Sequence, residues 1–237
     1  MGTRRNTLLA LGSGTALVAG WSWLGGSATA AEQATLVPPP AFDPPDAAAT
    51  QKAVFAGGCF WGVQAVFQHT RGVLDAVSGY AGGDPQRANY QSVSSGRSGH
   101  AEAVEVSYDP RQVSYGRLLQ IFFSVAHDPT QLDRQGPDSG PQYRSALFHA
   151  NPAQQQVAAR YIVQLDAARV FPAKIVTRLA PSQGFFAAEA YHQDYATRNP
   201  HAPYIVRFDA PKIANLQRLF GAQYRDTPVL VTAQRAS

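Results

Sequence analysis

The spacing of apolar residues along the chain predicts short strands that alternate irregularly with amphipathic helices. Strands are predicted over residues 53–56, 103–108, 145–149 and 174–179. After the first strand, Val63, Val66 and Phe67 recur at helical spacing, and Ser114 and Asn151 are suitable N-caps for two further helices. There is no strict βαβ repeat, and no G-x-G-x-x-G motif follows the first strand. We therefore predict an α+β fold in which helices pack on a sheet.

The first thirty residues have the pattern of an export signal. Arg4 and Arg5 precede an uncharged apolar stretch over residues 8–24, and Ala28-Thr29-Ala30 is a suitable cleavage site. A transmembrane anchor is the alternative, but glycines interrupt the stretch and make it a poor spanning helix. Residues 3–8 resemble a twin-arginine signal, which exports folded proteins. We predict a cleaved signal over residues 1–30 and an exported, periplasmic protein without membrane attachment after cleavage.

The remaining residues are predicted to form one domain with loose ends. Residues 31–50 are rich in proline and alanine and predict a mobile linker, residues 51–224 are continuously patterned, and residues 225–237 predict a loose tail. The chain has 237 residues and is 45% hydrophobic, which is enough for a core without disulfides. Its net charge of +4 is spread without a run of like charges, so nucleic-acid binding is not predicted. We expect a monomer.

The chemistry of the chain centres on its only cysteine, Cys59. It lies between Gly57-Gly58 and Phe60-Trp61-Gly62, at the junction of the first strand and the first helix. A helix N-terminus favours negative charge, so we expect a lowered thiol pKa, an accessible sulfur and a nucleophilic thiolate. The adjacent aromatic residues suggest an apolar pocket for a small substrate group. The alternative is a buried cysteine that serves only as a small hydrophobic residue.

The sequence around Cys59 resembles a known enzyme family. Gly58-Cys59-Phe60-Trp61-Gly62 is similar to the signature of the A-type peptide methionine sulfoxide reductases, and further matches to that family follow in order over residues 95–104, 127–145 and 188–200. The resemblance spans residues 52–224. It implies a two-layer α+β sandwich with a mixed sheet and a ferredoxin-like core. It also implies reduction of free and peptide-bound methionine S-sulfoxide, and hence repair of oxidised proteins.

The resemblance assigns the catalytic roles to two residues. Cys59 is expected to attack the sulfoxide sulfur as a thiolate and to become a sulfenic acid. Glu102 is expected to protonate the departing oxygen, since a carboxyl near apolar walls keeps its proton better than one in water. Without the resemblance, Glu102 would be interpreted as an exposed strand glutamate.

The resemblance also assigns the substrate-binding residues. Phe60 and Trp61 are expected to hold the S-methyl group. Tyr90 and Tyr143 are expected to donate hydrogen bonds to the sulfoxide oxygen, because phenols donate without ionising. Asp138 corresponds to a carboxylate that orders water and neighbouring donors.

The chain departs from many members of that family in having no second cysteine. This chain has Ser94 and Ser95 in the segment where some members have a cysteine, and its C-terminal segment contains no cysteine. An internal disulfide is therefore impossible, and an external thiol, thioredoxin-like or glutathione-linked, is expected to reduce the sulfenic acid. No other cofactor and no metal are predicted, because the histidine spacings fit no zinc pattern.

Two other function classes remain as alternatives at this point. A peroxidase would use the same cysteine to reduce hydroperoxides, although the set of Glu102 and tyrosines does not support it. A non-catalytic module would recognise oxidised methionine in partner proteins. Turnover of a methionine sulfoxide distinguishes all three classes, because only the reductase releases methionine.

Overall fold

The structure, a computed structural model, describes residues 1–2 and 34–231. The predicted export signal over residues 1–30 therefore lies outside the described residues except for Met1 and Gly2. In the part of the chain that is described, no helix combines the length and the apolar character needed to cross a bilayer.

The described strands form one mixed sheet and one small hairpin. In chain order they are β1 (Gln51–Gly57), β2 (Val73–Ala81), β3 (Ala101–Tyr108), β4 (Arg134–Gln135), β5 (Asp138–Ser139), β6 (Ser145–His149), β7 (Arg178–Pro181) and β8 (Phe185–Ala187). The sheet order is β7-β6-β1-β3-β2-β8, while β4 and β5 pair with each other. Every neighbouring pair is antiparallel except β6 and β7, which are parallel.

The helices complete a ferredoxin-like core. They are α1 (Phe60–Gln68), α2 (Tyr90–Ser94), α3 (Tyr115–Ile121), α4 (Pro152–Ala167), α5 (Tyr195–Arg198) and α6 (Ala210–Leu219). The central order β6-β1-β3-β2, with α1 between β1 and β2 and α3 between β3 and β6, is the split βαβ arrangement. The predicted α+β class, mixed sheet and ferredoxin-like core are therefore confirmed.

The predicted helix starts are confirmed by their capping hydrogen bonds. Ser114 Oγ accepts a hydrogen bond from Arg117 N at 3.1 Å, at the start of α3. Asn151 Oδ1 accepts one from Gln154 N at 2.9 Å, at the start of α4. Each cap satisfies a backbone donor that would otherwise lack a partner in the first turn of its helix.

The main core lies between the sheet and its helices. The ring of Phe55 on β1 lies 4.6 Å from that of Phe67 on α1 and 5.3 Å from that of Phe122, in the π-helical turn Phe122–Ala126 that continues α3. On β3, Val104 and Val106 point into this core. Because side chains alternate along a strand, Glu102 lies on the same face, at the end of β3 near α1. The sequence therefore places a carboxyl on the apolar side of the sheet.

The predicted strand over residues 174–179 is correct only near its end. β7 begins at Arg178, and the backbone N–H groups of two earlier residues in the predicted strand donate elsewhere. Ile175 N donates to Asp166 Oδ1 at 3.0 Å and Val176 N donates to Pro129 O at 2.8 Å. These bonds to a side chain and a loop take the place of sheet pairing, so the alternating pattern does not mark a strand there.

The prediction of a mobile linker over residues 31–50 is wrong for the part around Val37. This side chain is buried in the main core, and its carbonyl accepts a hydrogen bond from Gln120 Nε2 at 2.8 Å. Its N–H donates to Ser124 Oγ, and Pro38 O accepts from the Tyr161 hydroxyl. Proline carbonyls remain good acceptors although proline has no N–H, so a proline-rich segment can still be fixed.

The prediction of a loose tail over residues 225–237 is also wrong for the described part, which ends at residue 231. Arg225 N donates to His69 O at 2.9 Å, and Val229 N donates to Gln68 O at 3.0 Å, both at the end of α1. Val231 N donates to Asp194 Oδ1 at 3.1 Å. The segment therefore packs along the same side of the domain as α1 and α5.

Candidate active site

Cys59 is the N-cap of α1, as predicted. It follows Gly58, whose φ of +89° is a conformation that favours glycine. A Cβ added at Gly58 would lie 2.5 Å from the side chain of Gln135 in β4. A glycine at position 58 is therefore also needed for the β4–β5 hairpin to approach the backbone this closely. The glycine thus lets the chain turn sharply from β1 into α1 and brings the sulfur under the β4–β5 hairpin.

The environment of Cys59 does not lower the pKa of its thiol. The residue is 9% exposed, and burial raises the pKa well above its usual range. The carboxyl groups of Glu102 and Asp209 raise it further, whereas the N–H of Trp61 in the first turn of α1 lowers it. The predictions of a lowered pKa and an accessible sulfur are therefore wrong, because desolvation and nearby carboxyls outweigh the helix N-terminus.

Glu102 is buried beside the nucleophile and has the properties of an acid. Its Oε2 accepts a hydrogen bond from the backbone N–H of Phe60, the residue after Cys59, at 3.1 Å. Burial raises its pKa to about 8, and the hydrogen bond from Phe60 offsets only part of this increase. The carboxyl is therefore mostly protonated at pH 7, as expected of a proton donor near neutral pH.

Tyr90 and Tyr143 lie within the electrostatic reach of Glu102 and Cys59. Tyr90 begins α2, and Tyr143 ends the 3-10 turn Pro141–Tyr143. Burial raises the pKa of both phenols, and ionisation of Glu102 or Cys59 raises it further. Both therefore remain protonated hydrogen-bond donors at neutral pH, in keeping with the role that the sequence resemblance implies.

Phe60 and Trp61 belong to a cluster of aromatic rings around His192. The ring of Phe60 lies 5.0 Å from that of His192, and Trp61 Nε1 donates to His192 Nδ1 at 3.2 Å. Trp61 also stacks on Tyr195 at 3.8 Å and meets the edge of Tyr204 at 5.9 Å. The indole is thus held on three sides, which gives the apolar wall a defined orientation.

The loop that carries His192 is fixed by two polar side chains. Glu189 accepts hydrogen bonds from the Tyr80 hydroxyl at 2.8 Å and from Tyr90 N at 2.9 Å. Gln193 pairs with both backbone groups of Ser78 on β2, accepting from its N–H and donating to its carbonyl. Because Gln193 is buried, this amide pairing anchors the loop to the sheet and with it the partner of Trp61.

Asp138 lies in the β4–β5 hairpin and accepts a hydrogen bond from the hydroxyl of Tyr204. Burial raises the pKa of Asp138, and this hydrogen bond lowers it. Cys59, Asp138 and Tyr204 line one small cavity together with Lys212 of α6. The predicted site residues therefore converge on Cys59 from β3, α2, the hairpin and the 3-10 turn before β6.

Sequence reasoning missed several residues of this site. No site role was predicted for Tyr195, Tyr204, Asp209 and Lys212, although Tyr195 and Tyr204 both lie in segments that match the family. Their signal is tertiary, since each meets Cys59 or Trp61 only after α5 and α6 pack on α1. Among the residues that the structure describes, no group of three or more His, Cys, Asp or Glu side chains is arranged to hold a metal ion.

Comparisons with known proteins agree with this geometry. The family described as peptide methionine sulfoxide reductase matches residues 51–223. Peptide methionine sulfoxide reductase MsrA 2 of Mesorhizobium japonicum is 59% identical over 77% of this chain and 93% of its own length. The enzyme of Deinococcus radiodurans is 48% identical over 75% of this chain and 86% of its own length.

Solved structures lead to the same family. Reduced Mxr1 from Saccharomyces cerevisiae is 32% identical and superposes with a TM-score of 0.62 over 68% of this chain and 92% of its own. Methionine sulfoxide reductase A of Corynebacterium diphtheriae is 33% identical, with a TM-score of 0.56 over 76% of this chain and 93% of its own. The family match over residues 51–223 and the identity with these relatives show that the chain belongs to the peptide methionine sulfoxide reductase family and is an oxidoreductase that reduces methionine sulfoxide.

Proposed function

We propose that the enzyme reduces the S epimer of methionine sulfoxide, with Cys59 as nucleophile and Glu102 as general acid. The observation that carries this proposal is the hydrogen bond from Phe60 N to Glu102 Oε2 at 3.1 Å. It holds the acid against the residue that follows the nucleophile. Sulfur and proton donor therefore keep a fixed relation, which is what a reaction at one sulfoxide group requires.

The chemical step transfers one oxygen and two electrons. The Cys59 thiolate forms a bond to the sulfoxide sulfur while Glu102 gives a proton to the sulfoxide oxygen. The protonated oxygen then passes from the substrate sulfur to Cys59 as the sulfur–sulfur bond breaks, so that methionine leaves with two more electrons on its sulfur and Cys59 becomes a sulfenic acid. Tyr90 and Tyr143 donate hydrogen bonds to the oxygen as it gains charge, while Asp138 and Tyr204 order the neighbouring donors.

Selectivity for one epimer follows from the placement of unlike walls. Phe60 and Trp61 offer apolar surface to the S-methyl group, and Glu102, Tyr90 and Tyr143 offer donors to the oxygen. The other epimer would place its oxygen against the aromatic rings or its methyl group against unpaired donors. Leaving a buried polar group unpaired costs about 1–3 kcal/mol, which is enough to discriminate between epimers.

Regeneration of the thiol depends on an external reductant. Cys59 is the only cysteine of the chain, so an intramolecular disulfide cannot form. One external thiol attacks the sulfenic sulfur, giving a mixed disulfide and water, and a second thiol releases Cys59 and the oxidised reductant. A thioredoxin-like or glutathione-linked donor fits this chemistry. Oxidised proteins, oxidised peptides and free methionine sulfoxide are the proposed substrates.

Export of a monomer to the periplasm remains part of this proposal. Its support is the basic, apolar and small-residue pattern of residues 4–30. Cell fractionation and mass spectrometry of the mature protein test it. We expect the chain to begin near residue 31 in the exported fraction, and recovery of the full chain from the cytoplasm would contradict export.

The test of the reaction uses racemic dabsylated methionine sulfoxide with dithiothreitol as reductant. We expect methionine to form until half of the substrate is consumed, and chiral separation to show that the R epimer remains. Consumption of both epimers at equal rates would overturn the pocket assignment. Peroxide consumption without methionine release would instead indicate a peroxidase.

A further inference from the structure

Asp209 is a buried carboxyl near Cys59 that the steps above do not use. It ends the π-helical turn Ile205–Asp209, it is 0% exposed, and neither of its oxygens has a hydrogen bond among the described residues. Its partner is Lys212, whose Nζ lies 3.7 Å from Asp209 Oδ1. Burial of a charge that has one cationic partner is costly, and such a charge changes the ionisation of neighbouring groups, which can be measured.

Asp209 lies against the first turn of α1, the helix that begins after Cys59. A Cβ added at Gly62 would lie 2.1 Å from Asp209 Oδ1 and 3.3 Å from Lys212 Cδ. The first turn of a helix has unpaired N–H groups and the positive end of the helix dipole, which attract an anion. The carboxylate of Asp209 and the sulfur of Cys59 therefore share the same positive helix end.

We propose that Asp209, held by Lys212, is a positioning residue whose carboxylate occupies the positive end of α1 and thereby acts together with burial to keep the sulfur of Cys59 in its thiol form. This inference rests on the proposed role of Cys59 as nucleophile. A thiol in this position makes the enzyme selective for sulfoxides over peroxides. The thiolate is the nucleophile in both reactions, so a small thiolate fraction makes oxidation by peroxide slow, whereas its attack on a bound sulfoxide is assisted by Glu102, which protonates the oxygen.

The charge states around the sulfur support this assignment. Burial raises the pKa of Asp209 to about 6 while Lys212 lowers it, so the carboxyl is ionised at pH 7. The thiol pKa of Cys59 is raised by burial, then by Glu102 and then by Asp209, with Asp138 contributing less. Near pH 7 Glu102 is mostly neutral, whereas Asp209 is ionised both there and at the higher pH where the thiol titrates. The titratable groups that face Cys59 are Tyr90 of α2, Glu102 of β3, Asp138 of β5, Tyr143, Tyr204, Asp209 and Lys212 of α6.

The test measures ionisation of the thiol directly in the full chain. Because Cys59 is the only cysteine, alkylation by iodoacetamide followed by intact-mass measurement reports on this sulfur alone. In Asp209→Asn, the midpoint of the rate against pH should fall by about one unit, so alkylation near neutral pH should be roughly tenfold faster. The limiting rate at high pH should not change, because only the charge is removed.

The two parts of this profile separate electrostatics from structure. A faster high-pH limit with an unchanged midpoint would mean that the variant merely exposes the sulfur, and it would overturn the proposal, as would an unchanged profile. Glu105→Gln serves as the control, because Glu105 on β3 forms an ion pair with Lys52 at 2.7 Å and lies away from the site. The alkylation profile of this variant should match that of the wild type. If Asp209→Asn does not fold, Asp209→Ser removes the same charge and should also shift the midpoint downward, and an unchanged midpoint in that variant would overturn the proposal.

A second measurement tests the consequence for selectivity. Hydrogen peroxide converts a thiolate to a sulfenic acid and releases hydroxide, so its rate follows the thiolate fraction. We expect Asp209→Asn to form sulfenic acid, trapped by dimedone, roughly tenfold faster than the wild type at pH 7. Equal rates would overturn the selectivity argument. Neither measurement requires sulfoxide turnover, so a failure here is distinguishable from a failure of the proposed reaction.

Discussion

Two buried carboxyl groups near Cys59 differ in their protonation at neutral pH. Glu102, on β3, accepts one backbone hydrogen bond, and burial raises its pKa to about 8. Asp209, at the start of α6, has the ammonium of Lys212 at 3.7 Å, and its pKa is about 6. At pH 7 the first group is therefore mostly neutral and the second is mostly ionised.

The comparison shows that burial alone does not decide what a carboxyl can do. Desolvation is the largest influence on both groups, and both pKa values lie above the usual value. The cation beside Asp209 restores its charge, whereas Glu102 has only a neutral N–H donor. The neutral carboxyl can give a proton to a departing oxygen, and the charged one disfavours a second anion at the same helix end.

The largest expected effect is the loss of activity when the sulfur of Cys59, on which both carboxyls act, is removed. In Cys59→Ser, reduction should be abolished, because a hydroxyl of high pKa does not provide a nucleophilic anion at neutral pH. The measurement is release of methionine from dabsylated methionine sulfoxide with dithiothreitol. Ser94→Ala should retain full activity as a control. Substantial turnover by the serine variant would exclude Cys59 as nucleophile.

Glu102→Gln removes the proton donor and keeps the size of the side chain. We expect the single-turnover rate of methionine formation to fall by about a hundredfold, the usual contribution of general-acid catalysis. The deficit should narrow at low pH, where solvent supplies protons. Glu105→Gln, on the same strand, should remain close to the wild type. An unchanged rate in Glu102→Gln would remove Glu102 from the acid role.

The stability of the fold should also report the unusual pKa of Glu102. Its pKa is about 8 when folded and 4.5 for the unperturbed carboxyl, so between these values the folded state holds a proton that the unfolded state has lost. The free energy of unfolding should therefore decrease as the pH rises through this range, by up to about 1.4 kcal/mol per pH unit. Urea unfolding from pH 5 to 8 should show this decrease in the wild type and a weaker one in Glu102→Gln. Parallel profiles would mean that Glu102 ionises at its ordinary pKa.

The smallest expected effect concerns Asp138, a third, half-buried carboxyl that lines the cavity at Cys59. Tyr204→Phe removes the hydroxyl that donates to Asp138, and we expect a loss of about 1.5–3 kcal/mol in unfolding free energy, typical of a hydrogen bond to a charged group. Tyr195→Phe is the matched control, because it keeps the ring stacked on Trp61 and removes only its hydroxyl. Equal free energies of unfolding for the two variants would show that the hydrogen bond from Tyr204 to Asp138 does not stabilise the fold.

The sequence by itself determined the local features that depend on neighbouring residues. The caps at Ser114 and Asn151, the turn at Gly58 and the place of Cys59 at a helix N-terminus follow from local backbone chemistry. The protonated state of Glu102 was expected only from the family resemblance, because the strand by itself suggested an exposed glutamate; burial, which raises its pKa to about 8, agrees with the resemblance. β2 was not predicted, since Asp75 and Ser78 interrupt its apolar pattern although both lie in the sheet.

The tertiary structure decided the properties that depend on distant residues. The segment around Val37 is fixed by α3 and α4, and its prolines alone suggested a linker. A helix N-terminus predicted a lowered thiol pKa at Cys59, but burial raises that pKa, and Glu102 and Asp209 raise it further from 43 and 150 positions away in the chain. Desolvation and Coulomb interactions depend on distance in space, and the chain's local pattern does not contain those distances until the sheet and helices have packed.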